Sequence, residues 1–272
     1  MKVIIFACAF ITVLPLLLIL GYLAKAGIQA VNWDFFTHLP KPVGSSGGGM
    51  VNAIAGSCTL VGLACMIGIP IGVGTGIYLA EFRDDSHNYF KTFVRFLVDS
   101  MNSIPSIVFG ITVYAIVVAP MHSFSALSGG IALGVMMVPV VTRTTEEFLK
   151  LVPQNLREAA LALGAPEWRV TLGVVLHASV GGIMTGVILA TARIAGETAP
   201  LLFTAFGNNN WGQGIMHPIA ALPLQIFVYA ISPYADWHRQ AWAGALVLMG
   251  FILLVNVVAR IFVAYQTRHM VR

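Results

Sequence analysis

Six mostly apolar runs dominate this chain, at roughly 3–24, 52–80, 95–119, 126–145, 173–195 and 241–263. A bilayer core about 30 Å thick is crossed by about 20 helical residues. Inside lipid every backbone polar group must find its partner within the chain, so each run is expected to be a helix. The expected fold is therefore an all-α, polytopic membrane protein with six transmembrane helices. Composition agrees: 58% of residues are hydrophobic and only 10% are charged, against about 25% charged in a soluble domain.

Six spans place both termini on one side, and basic residues indicate which side is cytoplasmic. With the N-terminus inside, Lys2, Arg83, Lys91, Arg95, Arg143, Lys150, Arg157, Arg169, Arg260, Arg268 and Arg272 fall at or near the cytoplasm. Only Lys25, Lys41 and Arg239 fall outside. This bias accounts for the net charge of +4 better than a nucleic-acid partner does. The first run is too long for the 7–15-residue core of a signal peptide, so a retained helix is expected despite Ala24-Lys25-Ala26. The stretch 199–231 is apolar but broken by Pro200, Gly207, Asn208 to Asn210, Pro218 and Pro223, and reads as a re-entrant or interfacial excursion. Trp33, Phe35 and Phe36 read as an interfacial anchor. The Gly44–Gly49 stretch lacks a following Lys-Ser/Thr pair and is a connector rather than a phosphate loop.

Between the fourth and fifth runs lies a charged island, residues 153–166. Pro153 suits the first helical position, Gly164 the left-handed residue that closes a helix, and Pro166 blocks continuation. Leu156, Ala159, Ala160 and Leu163 fall at i, i+3, i+4 and i+7, one apolar stripe. So short a helix is marginal alone in water. It is either an ordinary interfacial connector or a docking element for a soluble partner.

Two constellations lie inside the spans. Gly68, Gly72 and Gly76 recur every fourth residue and form a groove for close helix packing, in this chain or with a partner subunit, with Pro70 adding a kink. In the fifth run Ser179, Gly182, Gly186, Ala190, Arg193 and Glu197 fall within about 40° of one helical line. That line is expected to face protein or a water-filled passage. Arg193 does not deprotonate, and a charge at mid-membrane costs about 2.5–3.5 kcal/mol on insertion scales. It is either a buried partner of Glu197 that fixes helix orientation or the fixed positive group of an anion path. Glu197 then neutralises Arg193 when the path is empty and swings away on loading.

No nucleophile, metal or acid–base set stands out. Cys8, Cys58 and Cys65 lie in apolar runs without CxxC spacing. His38, His87, His122, His177, His217, His238 and His269 are scattered, and Asp84-Asp85 reads as a solvated pair.

Glu158-Ala159-Ala160-x-x-x-Gly164 resembles the cytoplasmic EAA loop of ATP-binding-cassette importer permeases. The generic pattern ends in Leu-Pro, where this chain has Leu176-His177. Ala192-Arg193-Ile194-Ala195-Gly196-Glu197-Thr198-Ala199-Pro200-Leu201-Leu202-Phe203-Thr204 is similar to a segment of the phosphate-importer permeases of the PstA type, as is Gly181 to Gly186. Pro105-Ser106-Ile107-Val108-Phe109-Gly110 is similar to their Pro-Ser-x-Val-x-Gly segment. The likeness runs from about Asn52 to Val263.

The resemblance implies a MetI-like type I permease that moves inorganic phosphate inward by alternating access. Its implied layout is a first span and outer loop (1–51), a permease domain (52–263) with a coupling helix at about 153–164, and a basic tail (264–272). The implied partners are a sister permease (PstC-like), two ATP-binding subunits (PstB-like) and an external phosphate-binding protein (PstS-like), in the cell inner membrane with both termini cytoplasmic. The chain lacks a Walker motif, so it is expected to be no enzyme and to bind no cofactor, with ATP and magnesium used by the partner ATPase. Arg157, Glu158, Ala159, Ala160 and Gly164 are implied to couple to that ATPase, and Arg193, Glu197, Thr198 and Gly186 to line the substrate pathway. Sulfate or molybdate permeases and an ATPase-independent secondary transporter are the alternatives.

Overall fold

The computed structural model describes residues 2–42, 45, 47–82 and 89–270. Gly44, Arg83, Asp84, Asp85, His87 and Arg272, and the side chains of Lys2, Arg268 and His269, lie outside the described residues.

The described residues are helical apart from connecting loops. Helix α1 (Lys2–Ile28) leads into the short α2 (Trp33–Thr37) and then α3 (Val51–Glu81). α4 (Tyr89–Ser103) and α5 (Ser106–Val113) follow, with a π-helical turn Tyr114–Val118 and the short α6 (Ala119–Met121). α7 (Ala126–Lys150) returns to the other end, where α8 (Gln154–Ala162) and α9 (Glu167–Val170) sit. A second π-helical turn, Thr171–Val175, runs into α10 (Leu176–Ala195), followed by α11 (Ala199–Thr204), α12 (Leu222–Ala230) and α13 (Ala235–Met270).

Among the described residues, five helical stretches are long and apolar enough to cross a membrane: Phe10–Ile28, Val51–Glu81, Ala126–Lys150, Glu167–Ala195 and Ala235–Val258. The third expected span is different. It is a pair of helices, Tyr89–Ser103 and Ser106–Met121, bent by 107°. Pro105 disfavours helical backbone at the residue before it. Lys91, Arg95 and Asp99 recur at i, i+4 and i+8 on α4, a polar stripe that a lipid-buried helix would not carry. Among the described residues a sixth span is reached if the bent pair counts as one.

The core is built on α3 against α7. A Cβ at Gly68 would lie 2.9 Å from the Gly134 carbonyl, and one at Gly72 2.7 Å from Val141 Cβ. The glycine groove is thus filled by α7 of the same chain, and Leu60, Leu133, Met137 and Val141 are buried around it. Cys65 of α3 lies 3.6 Å from the Thr191 hydroxyl of α10.

The stretch 199–231 forms no crossing helix. It folds into α11, a loop and α12, and it caps the core at the end opposite α8. Ser125, Ala126 and Leu127 at the start of α7 donate their backbone N–H groups to the carbonyls of Thr204, His217 and Ile215. The orphan donors of a helix start are thereby satisfied without water. At the start of α12 the buried Leu222 N–H donates to Ser57 Oγ at 2.8 Å. Ser57→Ala leaves that donor unpaired and is expected to cost about 1–3 kcal/mol, read as a lower thermal midpoint of the purified chain in detergent. Phe35 is a core residue at 1% exposure, packed with Met50, so of the three aromatics only Trp33 and Phe36 remain outward.

Candidate functional site

Helix α8 is punctuated nearly as its sequence foretells. Pro153 is the residue before the helix rather than its first (φ −57°, ψ 139°). Gly164 closes it with φ +81°. Gly164 N–H donates to the Leu161 carbonyl and Ala165 N–H to that of Ala160, the paired bonds of a Schellman end. None of its nine residues is buried. Leu156 and Leu161 are each 44% exposed and Leu163 89%. Glu158 and Ala159 are also exposed, while Ala160 packs partly against the core.

Arg157 points inward instead. Its guanidinium donates to Glu81 Oε1 at 2.6 Å and to the Leu149 carbonyl at 2.9 Å. Beside it, Glu146 of α7 is 2% exposed and accepts from Arg95 at 2.7 Å and Lys150 at 2.5 Å, with Arg143 3.5 Å away. Arg143 also approaches Asp99 of α4 and Glu147. These charges tie α4, α7 and α8 around a cavity of about 480 Å³, lined in part by Glu81, Lys91, Arg95, Lys150 and Arg157. The sequence reading did not single out Glu81 or Glu146. The spacing Arg143, Glu146, Glu147 and Lys150 at i, i+3, i+4 and i+7 was available as a signal for an ion-paired helix face. Nothing local links Glu81 to Arg157, 76 positions on.

At the other end, the line of small residues on α10 turns to α7. A Cβ at Gly182 would lie 2.0 Å from the Phe148 ring, and one at Gly186 2.2 Å from Thr144 Oγ1. Ser179 and Ala190 on the same line are also buried. Gly186 is therefore a packing position against α7. Arg193 departs from the seam: its side chain is 55% exposed, and its Nε lies 3.9 Å from Glu197 Oε1, whose side chain is 19% exposed. Gly196 caps α10, and Thr198 precedes α11, whose start presses on α5. A Cβ at Gly110 would lie 2.7 Å from Pro200 Cα. Gly110 of α5 and Pro200 of α11, far apart in sequence, thus meet in the bundle. The arrangement offers a half-exposed guanidinium with a carboxylate four residues on within reach, and a planar guanidinium can give an oxyanion two parallel hydrogen bonds.

The sequence profile of the family described as "binding-protein-dependent transport system inner membrane component" matches residues 68–272. A protein of Yersinia pestis named "phosphate transport system permease protein PstA" is 50% identical over 238 residues, covering 88% of this chain and 80% of that protein. One of the same name from Haemophilus influenzae is 45% identical, covering 91% and 87%. A "probable" one from Methanocaldococcus jannaschii is 33% identical, covering 93% and 89%. Among solved structures, a chain of the inward-facing MetNI methionine ABC transporter superposes with a TM-score of 0.65 at 18% identity, over 80% of this chain and 97% of that one. A chain of a bacterial alginate ABC transporter, in complex with its alginate pentasaccharide-bound periplasmic protein, gives a TM-score of 0.65 at 14% identity, over 98% and 94%. At such identities these two structures speak for the fold alone.

Proposed function

This chain belongs to the binding-protein-dependent transport system inner membrane components, among their phosphate-system permeases, and from that premise we propose how it moves inorganic phosphate. It is the multi-pass membrane subunit of an ABC importer and no enzyme. The driving energy enters from two separate ATP-binding subunits, which supply the ATP and magnesium chemistry. A sister permease closes the passage from the other side, and an external binding protein delivers phosphate. The observation that carries this reading is α8: a nine-residue helix held at the end where basic residues concentrate, with no residue buried and with Leu156, Ala159 and Leu163 of its apolar stripe exposed. A helix of that kind needs a groove to occupy. The basic bias supports a cytoplasmic position for that end and for both termini.

In the proposed cycle ATP binding closes the ATPases and carries α8 with them. The packed helices shift between two arrangements, and the passage opens outward to receive phosphate. Hydrolysis resets it inward. Arg193, Glu197 and Thr198 receive the anion at the exposed flank of α10. The half-exposure of Arg193 supports a passage completed by the second permease. Glu158, exposed on α8, is proposed to face a cation of the ATPase. Glu158→Lys is expected to lower uptake more than tenfold and to weaken co-purification of the ATPase, because like charges meeting in an interface cost several kcal/mol.

The deciding experiment is co-purification of the whole set of subunits, followed by reconstitution in liposomes. Phosphate-loaded binding protein is expected to stimulate ATP hydrolysis, and uptake to require ATP and to resist excess sulfate or molybdate. Uptake by this chain without an ATPase would overturn the proposal.

A further inference from the structure

Arg157 stands on the docking helix yet turns away from the surface that helix presents. Its side chain is 19% exposed, and that of Glu81, the last residue of α3, 12%. One terminal nitrogen serves Glu81 Oε1 and the Leu149 carbonyl, and the other lies 3.4 Å from the Val152 carbonyl. Leu149 and Val152 flank the C-terminal end of α7, where helix carbonyls lack intrahelical partners and a cation is favoured. A planar guanidinium can hold a carboxylate and such carbonyls at once, whereas an ammonium is a single point charge.

The rest of α8 packs one-sidedly. It lies against α9 and the turn Thr171–Val175, which lead into α10, and has no comparable packing with α3 or α7. Chain continuity connects α8 forward to α10. Backward, it reaches α7 only through Leu151–Pro153, a non-helical linker. No such connection reaches α3.

We propose that Arg157 is a strut: it locks the linker between α7 and α8 and, through Glu81, ties the docking helix to α3. Because α3 and α7 are packed along their glycine groove, a displacement of α8 then carries both as one body. Arg157 is thus a positioning residue, and its partner lies in this chain rather than in the ATPase. This inference rests on the proposed ATP-driven import.

The test uses the complete complex in liposomes, with phosphate uptake and ATP hydrolysis measured on the same preparation. Glu81→Gln keeps the shape and removes the charge. It is expected to leave hydrolysis within threefold of native while phosphate carried per ATP falls at least tenfold. A merely structural role would lower both together with assembly. If Arg157 instead contacts the ATPase, Glu81→Gln leaves the ratio within twofold of native, and the strut is overturned. A second pair keeps the question open to refutation should Glu81→Gln assemble poorly. Glu81→Cys with Arg157→Cys is expected to be uncoupled when reduced and to recover uptake to within threefold of native when bridged by a short bis-methanethiosulfonate, from which each thiolate displaces a sulfinate. An assembled, bridged complex that hydrolyses ATP without uptake overturns the strut. ATP-driven uptake by the native complex is the separate control that carries the proposed function.

Discussion

Arg193→Ala is expected to abolish phosphate uptake, by a hundredfold or more, in a complex that still assembles. The guanidinium can give a phosphate two parallel charge-assisted hydrogen bonds, each worth about 1.5–3 kcal/mol, and every 1.4 kcal/mol is tenfold in rate. Little of the fold depends on it. Its side chain is half in the open, and its ion contact to Glu197 is a long 3.9 Å. The buried residues beside it, Ala190, Ile194 and Ala195, hold α10 in place. Uptake of labelled phosphate and co-purification of the subunits are measured together. Loss of assembly would make Arg193 an orienting residue instead. Glu197→Gln belongs to the same experiment: a carboxylate that neutralises the empty site and yields to the anion predicts altered transport, and unchanged transport would end that idea.

The second large effect is on the fold. Gly76→Val is expected to remove most of the folded chain from the membrane. A Cβ there would meet Thr145 Cβ at 2.5 Å and the Thr142 carbonyl at 2.9 Å. Overpacking costs about 1–3 kcal/mol where side chains can shift, and a backbone carbonyl cannot. Gly74→Val, two residues away, is the control: nothing lies within 4 Å of its Cβ position. The yield of monodisperse protein in detergent is expected to collapse for the first and to stay near native for the second. Equal yields would show that the α3–α7 groove does not hold the bundle together.

Several parts of this molecule were legible in its residues. The long apolar runs and α8 with its stops at Pro153, Gly164 and Pro166 could be read from short windows. The breaks that keep 199–231 from crossing were also local. The small-residue line of α10 was legible as a line but not as a destination: it could have faced a passage, and it faces Phe148 and Thr144 of α7. Arg157 was legible as part of the EAA-like segment, while its inward turn was not. The third run looked continuous because hydropathy averages over the polar stripe of α4, and the 107° bend at Pro105 separates what the average joined.

The division has a physical cause. Lipid forces each apolar segment to satisfy its own backbone, and proline and glycine act on their own φ and ψ, so helix existence and helix ends are properties of the local chain. Which helix fills a glycine groove, and which carboxylate meets a given arginine, depends on how distant surfaces interdigitate. Gly76 against Thr145 and Arg157 against Glu81 are therefore decisions of the tertiary structure alone.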